Sequence, residues 1–177
     1  MSDFKYEDLI VDVPDYPKPG VVFKDIMPLL SDKDGLHAVV TEIADHFKDQ
    51  GITKVLGAEA RGFLIGAPVA YALGAGFVSA RKPGKLPREV FSETYALEYG
   101  TDELQILADA ITKDDKVLII DDLVATAGTT LASARLVEKA GAEIVGFSYL
   151  IELAFLHPRE TVAKEYSQEF FSLIQVD

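Results

Sequence analysis

The chain contains no cysteine, which excludes a disulfide framework, a thiolate nucleophile, a CxxC redox pair and any Cys-ligated zinc or iron–sulfur centre. No apolar run approaches the roughly 18 to 20 residues needed to span a bilayer, so no membrane association is expected. Residues 1–10 carry Asp3, Lys5, Glu7 and Asp8 where a secretory signal would have a basic stretch and an apolar core, so the expected location is the cytoplasm. Basic residues are also scarce: 17 Lys and Arg against 29 Asp and Glu leave a formal net charge of −12. That field repels a nucleic-acid backbone, so no nucleic-acid partner is expected and any anion site must be local. No GxxxxGK followed by Ser or Thr occurs, and no GxGxxG follows a strand, so ATP-type and dinucleotide sites lose their usual anchor. His37, His46 and His157 show no HExxH spacing and read as surface or core residues, not metal ligands.

What is present describes one α/β domain. A length of 177 residues with 49% hydrophobic and 26% charged residues suits a single globular core. Over residues 34–50, Leu36, Val39, Val40, Ile43, Ala44 and Phe47 make the one-sided stripe of an amphipathic helix, with Gly51 as its stop. Residues 52–58 read as a strand, 62–73 as a helix and 76–80 as a strand. The run KVLII at 116–120 is the clearest buried strand, followed by a helix over 129–140 and a strand over 144–151. Apolar strands alternating with helices predict a mostly parallel, twisted sheet flanked by helices. The segment 170–176 (FFSLIQV) reads as a strand whose partner sequence does not reveal.

Two segments break the rhythm. Residues 13–28 hold four prolines and one glycine, and residues 82–100 hold two of each with weak periodicity. Both are expected to be irregular, and long loops in compact domains usually carry function.

The most specific stretch is VLIIDDLVATAGTT at 117–130: a buried strand, two acids, a small-residue loop and a helix start. Small residues let backbone N–H groups approach an anion, the helix N-terminus adds donors and positive dipole, and Thr126, Thr129 and Thr130 add hydroxyls. A phosphate is the natural guest. Asp121 and Asp122 would repel it unless they lie farther along, where they could accept from sugar hydroxyls or hold a hydrated Mg²⁺. A phosphorylated sugar satisfies both halves; the plain alternative is a capped turn and an ordinary βα loop.

This stretch resembles the phosphoribosyl pyrophosphate (PRPP) motif of the type I phosphoribosyltransferases. The similarity continues, in the order of the adenine branch, through PGVVFKDI (19–26), GAEARGFLIGAPVA (57–70), ARKPGKLP (80–87) and YALEYGTDELQI (95–106). The resemblance implies that Ala125, Thr126, Ala127, Gly128, Thr129 and Thr130 hold the 5-phosphate and that Asp121 and Asp122 meet the ribose hydroxyls. It implies pyrophosphate contacts from Glu59, Ala60, Arg61, Arg81, Lys82 and Lys85, with a cis peptide in the Glu59–Ala60 loop aiming an N–H at the ligand. Arg81, Lys82, Lys85 and Arg88 fall within eight residues, the densest basic cluster of an acidic chain; taken alone, that is also what a solvated basic loop looks like.

By the same resemblance, Val22, Phe23, Lys24 and Leu153 line an adenine pocket under an N-terminal hood of about residues 1–32. Many relatives have Arg where Lys24 stands, and Lys lacks the planar fork. Glu98, Tyr99 and Arg61 are the implied catalytic residues, the first two in a mobile lid of about residues 82–100 that excludes water. Mg²⁺ is the implied cofactor, bound through PRPP and water with no direct protein ligand. The implied partners are adenine, PRPP and a second copy of the chain, whose site Arg81 would enter. The implied activity is purine salvage, giving AMP and pyrophosphate. A xanthine or other 6-oxopurine transferase remains as an alternative, and so does a non-catalytic PRPP sensor. Retention of Arg61, Arg81, Lys85 and Glu98 favours the enzyme over the sensor. The absence of Lys and Arg between Lys139 and Arg159 favours a 6-amino purine.

Overall fold

Apolar side chains alternate to both faces of the central strands, and a helical layer covers each face. The computed structural model describes residues 4–96 and 100–177. In chain order, a hairpin of β1 (Val11–Pro14) and β2 (Val22–Asp25) leads into α1 (Met27–Ser31) and α2 (Lys33–Phe47). Then come β3 (Lys54–Ala58), α3 (Arg61–Leu73) and β4 (Gly76–Ala80), followed by a second hairpin, β5 (Val90–Ala96) and β6 (Thr101–Leu107). The chain finishes with β7 (Lys116–Val124), α4 (Gly128–Lys139), β8 (Glu143–Leu153), α5 (Pro158–Ala163) and β9 (Glu169–Val176).

The main sheet has the order β4-β3-β7-β8-β9, and every pairing within it is parallel. In β7 the odd positions Val117 and Ile119 enter the core against α4, while Leu118 and Ile120 enter the core against α2 and α3. Each is at most 2% exposed, and burying such a side chain contributes about 1.5 to 3 kcal/mol. That two-sided burial is why the strand reads as an unbroken apolar run. The 170–176 segment is the edge strand β9, parallel to β8.

Local chemistry sets the element ends. Asp32 caps α2 by accepting from the N–H groups of Asp34 and Gly35 at 3.0 and 2.7 Å, which starts the helix just before the expected boundary. The helix ends at Phe47, before Gly51, whose φ of +69° turns the chain toward β3 instead of stopping the helix.

Two expectations need correction. Residues 82–100 are not irregular throughout, because Val90–Ala96 pairs antiparallel with Thr101–Leu107. The inward face of β5 presents Phe91 and Tyr95 to the α4 core, with Glu93 between them. Glu93 is ion-paired to Lys139 at 2.7 Å and Arg135 at 3.6 Å, so a charge stands where a strand pattern would show an apolar residue. Residues 13–28 likewise contribute to the β1–β2 hairpin, whose 15–21 turn holds a cis Tyr16–Pro17 bond.

Candidate active site

The order β4-β3-β7-β8-β9 places a topological switch between β3 and β7: the chain leaves β3 toward one edge and β7 toward the other. Parallel sheets bind ligands in the crevice outside the carboxyl ends at such a switch. The loop 59–61 follows β3, and the 125–127 turn follows β7. Sequence-expected residues from both strands therefore meet at one place.

Beyond β7 the chain turns through Ala125 and Thr126 to Ala127, which is buried with φ at +66°. A left-handed alanine costs about 1 to 2 kcal/mol, and next to right-handed residues it makes a concavity of N–H groups suited to an anion. Among the described residues no side chain caps α4. Its first helical bond runs from the Leu131 N–H to the Ala127 carbonyl at 2.9 Å, so the N–H groups before it lack helical partners. A pocket of about 130 Å³ lies against this turn, lined by Tyr95, Asp121 and residues 123–130. Thr126 is exposed and Thr129 half-buried, while Thr130 is buried with its Oγ1 2.7 Å from the Tyr149 hydroxyl.

Asp121 and Asp122 lie within β7 on the approach to that turn. The Asp122 N–H donates to Asp121 Oδ1 at 2.9 Å. Burial, then the neighbouring Asp122 charge, pushes the Asp121 carboxyl well above its ordinary value. Burial also raises Asp122, against the lowering effect of Arg61. Arg61 Nε stands 2.9 Å from Asp122 Oδ2, yet that oxygen accepts no hydrogen bond among the described residues. The contact is one of charge alone, and the oxygen is closed off from solvent. The first turn of α3 is fitted tightly here: a Cβ on Gly62 would lie 2.7 Å from Asp121 Oδ1.

The expected basic residues are present, but acids already hold most of them. The Glu59–Ala60 peptide is cis. Glu59 receives Arg81 Nε at 2.9 Å, and the Arg81 backbone is tied in both directions to Gln105 at 2.8 Å. Lys82 donates to Asp102 and to the Tyr95 hydroxyl. Asp102 and Tyr95 more than offset the desolvation that works against the ammonium, so its pKa is raised. Arg88 pairs with Asp109, and Lys85 is exposed on the loop.

The first hairpin reaches the same crevice through Phe23. Its ring lies under the Arg61 guanidinium at 4.7 Å and edge-on to Tyr16 at 5.2 Å. Strand alternation sends the neighbours to the other face: Lys24 donates to both Asp12 carboxylate oxygens at 2.7 and 2.8 Å. The Lys24 side chain is thus not brought together with Phe23 and Arg61. Val22 is exposed, and Leu153, at the end of β8, packs half-buried on the α2/α3 core. Glu98 and Tyr99 lie outside the described residues.

Sequence reasoning missed Tyr95, Asp102, Gly62 and Tyr149. Tyr95 falls in a quoted motif and could have been singled out by its aromatic character. Asp102 and Tyr149 act through partners 20 and 19 residues away, a separation that carries no periodic signal.

A family model for the phosphoribosyl transferase domain matches residues 30–175. An adenine phosphoribosyltransferase of Desulfitobacterium hafniense is 50% identical over 175 residues, covering 99% of each chain. The crystal structure of adenine phosphoribosyltransferase from Thermoanaerobacter pseudethanolicus superposes with a TM-score of 0.92 at 44% identity, covering 97% of this chain and 98% of that one. A Giardia lamblia relative solved with 9-deazaadenine gives a TM-score of 0.92 at 40% identity, covering 97% and 96%. A chain that carries the acid pair, the small-residue turn and the switch-point crevice, and matches these proteins along nearly its full length, belongs to the phosphoribosyltransferase family.

Proposed function

We propose that this chain transfers the phosphoribosyl group of PRPP to adenine, releasing pyrophosphate and forming AMP. The observation that carries this reading is the joint placement of an anion-sized turn, a buried acid pair and a guanidinium stacked on an aromatic ring at one switch point. The turn 125–130 takes the 5-phosphate through its N–H groups, and Asp121 and Asp122 take the ribose hydroxyls. Arg61, Lys82, Lys85 and the Glu59–Ala60 backbone take pyrophosphate, joined by Arg81 from a second copy of the chain. Phe23 supplies a stacking face for the purine, with Val22, the Lys24 backbone and Leu153 completing the pocket.

No protein nucleophile is required, because a purine nitrogen displaces pyrophosphate directly. The protein must align the two reactants, neutralise the leaving group and handle the purine proton. Glu98 is the proposed proton-handling group, with Tyr99 beside it shaping the lid. Mg²⁺ is the proposed cofactor. The proposed ion keeps its water and substrate oxygens, in line with the reluctance of Mg²⁺ to dehydrate. When bound, it would offset pyrophosphate charge, and Asp121 and Asp122 are the carboxylates that would hold its water.

The active form is proposed to be a homodimer in which Arg81 enters the partner's site. Helix α3 supports this, for Arg61 is its one charged residue, while Leu64 and Tyr71 stand 44% and 89% exposed. A helix apolar on all sides calls for a cover. The proposed location is the cytoplasm, since a polyanion such as PRPP does not cross bilayers unaided. Among the described residues no helix is long and apolar enough to cross a membrane.

The test is pyrophosphate release from PRPP and Mg²⁺ with adenine, hypoxanthine, guanine and xanthine in parallel. Adenine alone should support turnover. Turnover confined to an oxopurine would reject the base assignment, and binding without turnover would leave a sensor.

A further inference from the structure

One polar pair in the core is left over once the site has been assigned. Tyr149 lies in β8 as the register partner of Asp121, 1% exposed, with its ring against Phe170 at 4.9 Å. Its hydroxyl meets Thr130 Oγ1 at 2.7 Å. A phenol in the middle of a parallel sheet needs a partner for its O–H, because a buried orphan costs more than the bond returns. Thr130 is its one hydrogen-bond partner among the described residues.

The direction of that bond follows from burial. One contact consumes one hydrogen, and each hydroxyl brings one. If Thr130 donated, the Tyr149 hydrogen would be left in a closed core with no second acceptor among the described residues. If Tyr149 donates, the Thr130 hydrogen remains, and Thr130 lines the pocket at the turn. The second arrangement leaves no buried donor unmet as soon as an anion or water occupies the pocket. Burial, with the charges of Asp121 and Glu152 adding to it, keeps the phenol protonated and therefore a donor throughout the neutral range.

We propose that Tyr149 is a positioning residue for PRPP: its O–H holds Thr130 Oγ1 so that the Thr130 hydroxyl donates into the 125–130 turn. Two hydroxyls in series polarise one another, which strengthens the terminal donor. The arrangement joins β8, which ends at the base wall Leu153, to the first turn of α4, which receives the phosphate. It rests on the reading of that turn as the 5-phosphate cradle.

The experiment compares the full-length protein with Tyr149→Phe, Thr130→Val, Thr130→Ser and the Phe/Val double variant, using ribose 5-phosphate binding and steady-state kinetics. Tyr149→Phe removes one oxygen from a packed ring, and thermal melting verifies that the fold persists. Loss of one hydrogen bond to a charged group corresponds to a Kd and KM for the phosphosugar raised about tenfold, with kcat and the KM for adenine unchanged. Thr130→Ser should retain wild-type affinity, and the double variant should be no weaker than Thr130→Val, since both changes break one chain. Tyr149→Phe with wild-type affinity, additive effects in the double variant, or a fall in kcat at constant KM would each overturn the proposal. Gly128→Val separates the two layers of argument. If it leaves ribose 5-phosphate binding intact, the cradle reading itself fails. If it abolishes binding while Tyr149→Phe does nothing, the relay alone fails.

Discussion

Replacing Gly62 with alanine puts a methyl carbon 2.7 Å from Asp121 Oδ1, whereas its next neighbours, Ile120 O and Asp121 Cα, lie at an ordinary 3.4 and 3.5 Å. The backbone therefore need not move, but the carboxylate must, and in moving it loses the 2.9 Å bond from the Asp122 N–H. Alanine gains about 1 kcal/mol of helix propensity, and the steric conflict takes back about 1 to 3 kcal/mol. The net loss of about 0 to 2 kcal/mol should lower Tm by no more than about 8 °C for a chain of this size. Binding should suffer more. A ribose hydroxyl deprived of its charged acceptor forfeits about 1.5 to 3 kcal/mol, roughly a 10- to 150-fold loss of PRPP affinity. Titration calorimetry with PRPP, and with adenine as the control ligand, reads the two effects apart from the melting curve. PRPP affinity within twofold of wild type in a folded Gly62→Ala protein would show that Asp121 does not meet the sugar.

Two further outcomes test the acid pair and Glu98. Asp121→Asn should raise Tm at pH 7 while weakening PRPP binding. The Asp121 carboxyl is raised above its reference value of 3.8, so the folded state binds more protons than the unfolded one and stability falls as pH climbs from about 3.8 through the folded value. The gain from the Asn variant should accordingly vanish below pH 4, and an equal gain at acid and neutral pH would refute the shift. Glu98→Ala should lower kcat by about 100-fold or more, the lower bound for a lost general acid or base, and leave the PRPP Kd near wild type. Unchanged turnover would remove Glu98 from the mechanism.

The parts of the fold visible in the sequence are those where local pattern and tertiary burial coincide. β7 announces itself because both its faces are covered, and α2 because one of its faces is. The small-residue turn was legible for a related reason, since backbone access to an anion demands small side chains in consecutive positions. The β5–β6 hairpin was not, because Glu93 faces inward and finds Arg135 and Lys139 on a helix more than 40 residues away. Pattern rules assume that inward means apolar. The hairpin β1–β2 shows the complementary failure: Phe23 and Lys24 are neighbours in sequence, and pleating alone sends one to Arg61 and the other to Asp12.

The cations of the site were visible as a cluster, but their partners were not, and the partners change what the cluster means. Arg61 faces Asp122, Arg81 faces Glu59 and Lys82 faces Asp102, so under the proposed function a pyrophosphate arriving at a chain of net charge −12 meets cations already aimed and already neutralised. Such acids fix the cations in place before the ligand comes, which lowers the ordering cost of binding. The price differs between pairs. The Arg81 and Lys82 pairs are about one-third exposed on the cation side, and exchanging partners there costs about 0 to 1 kcal/mol each. The Arg61 pair is different, because the Asp122 side chain is only 7% exposed and a buried carboxylate stripped of its counter-charge is strongly disfavoured. Burial already raises Asp122 against the pull of Arg61. When Arg61 turns toward pyrophosphate that pull weakens, and the carboxyl is driven further toward its neutral form unless a sugar hydroxyl donates to it. Under the proposed function, leaving-group and ribose recognition are therefore coupled through one guanidinium: Arg61 serves the pyrophosphate at low cost only when the ribose is in place to satisfy Asp122, and the site would favour a ligand that carries both.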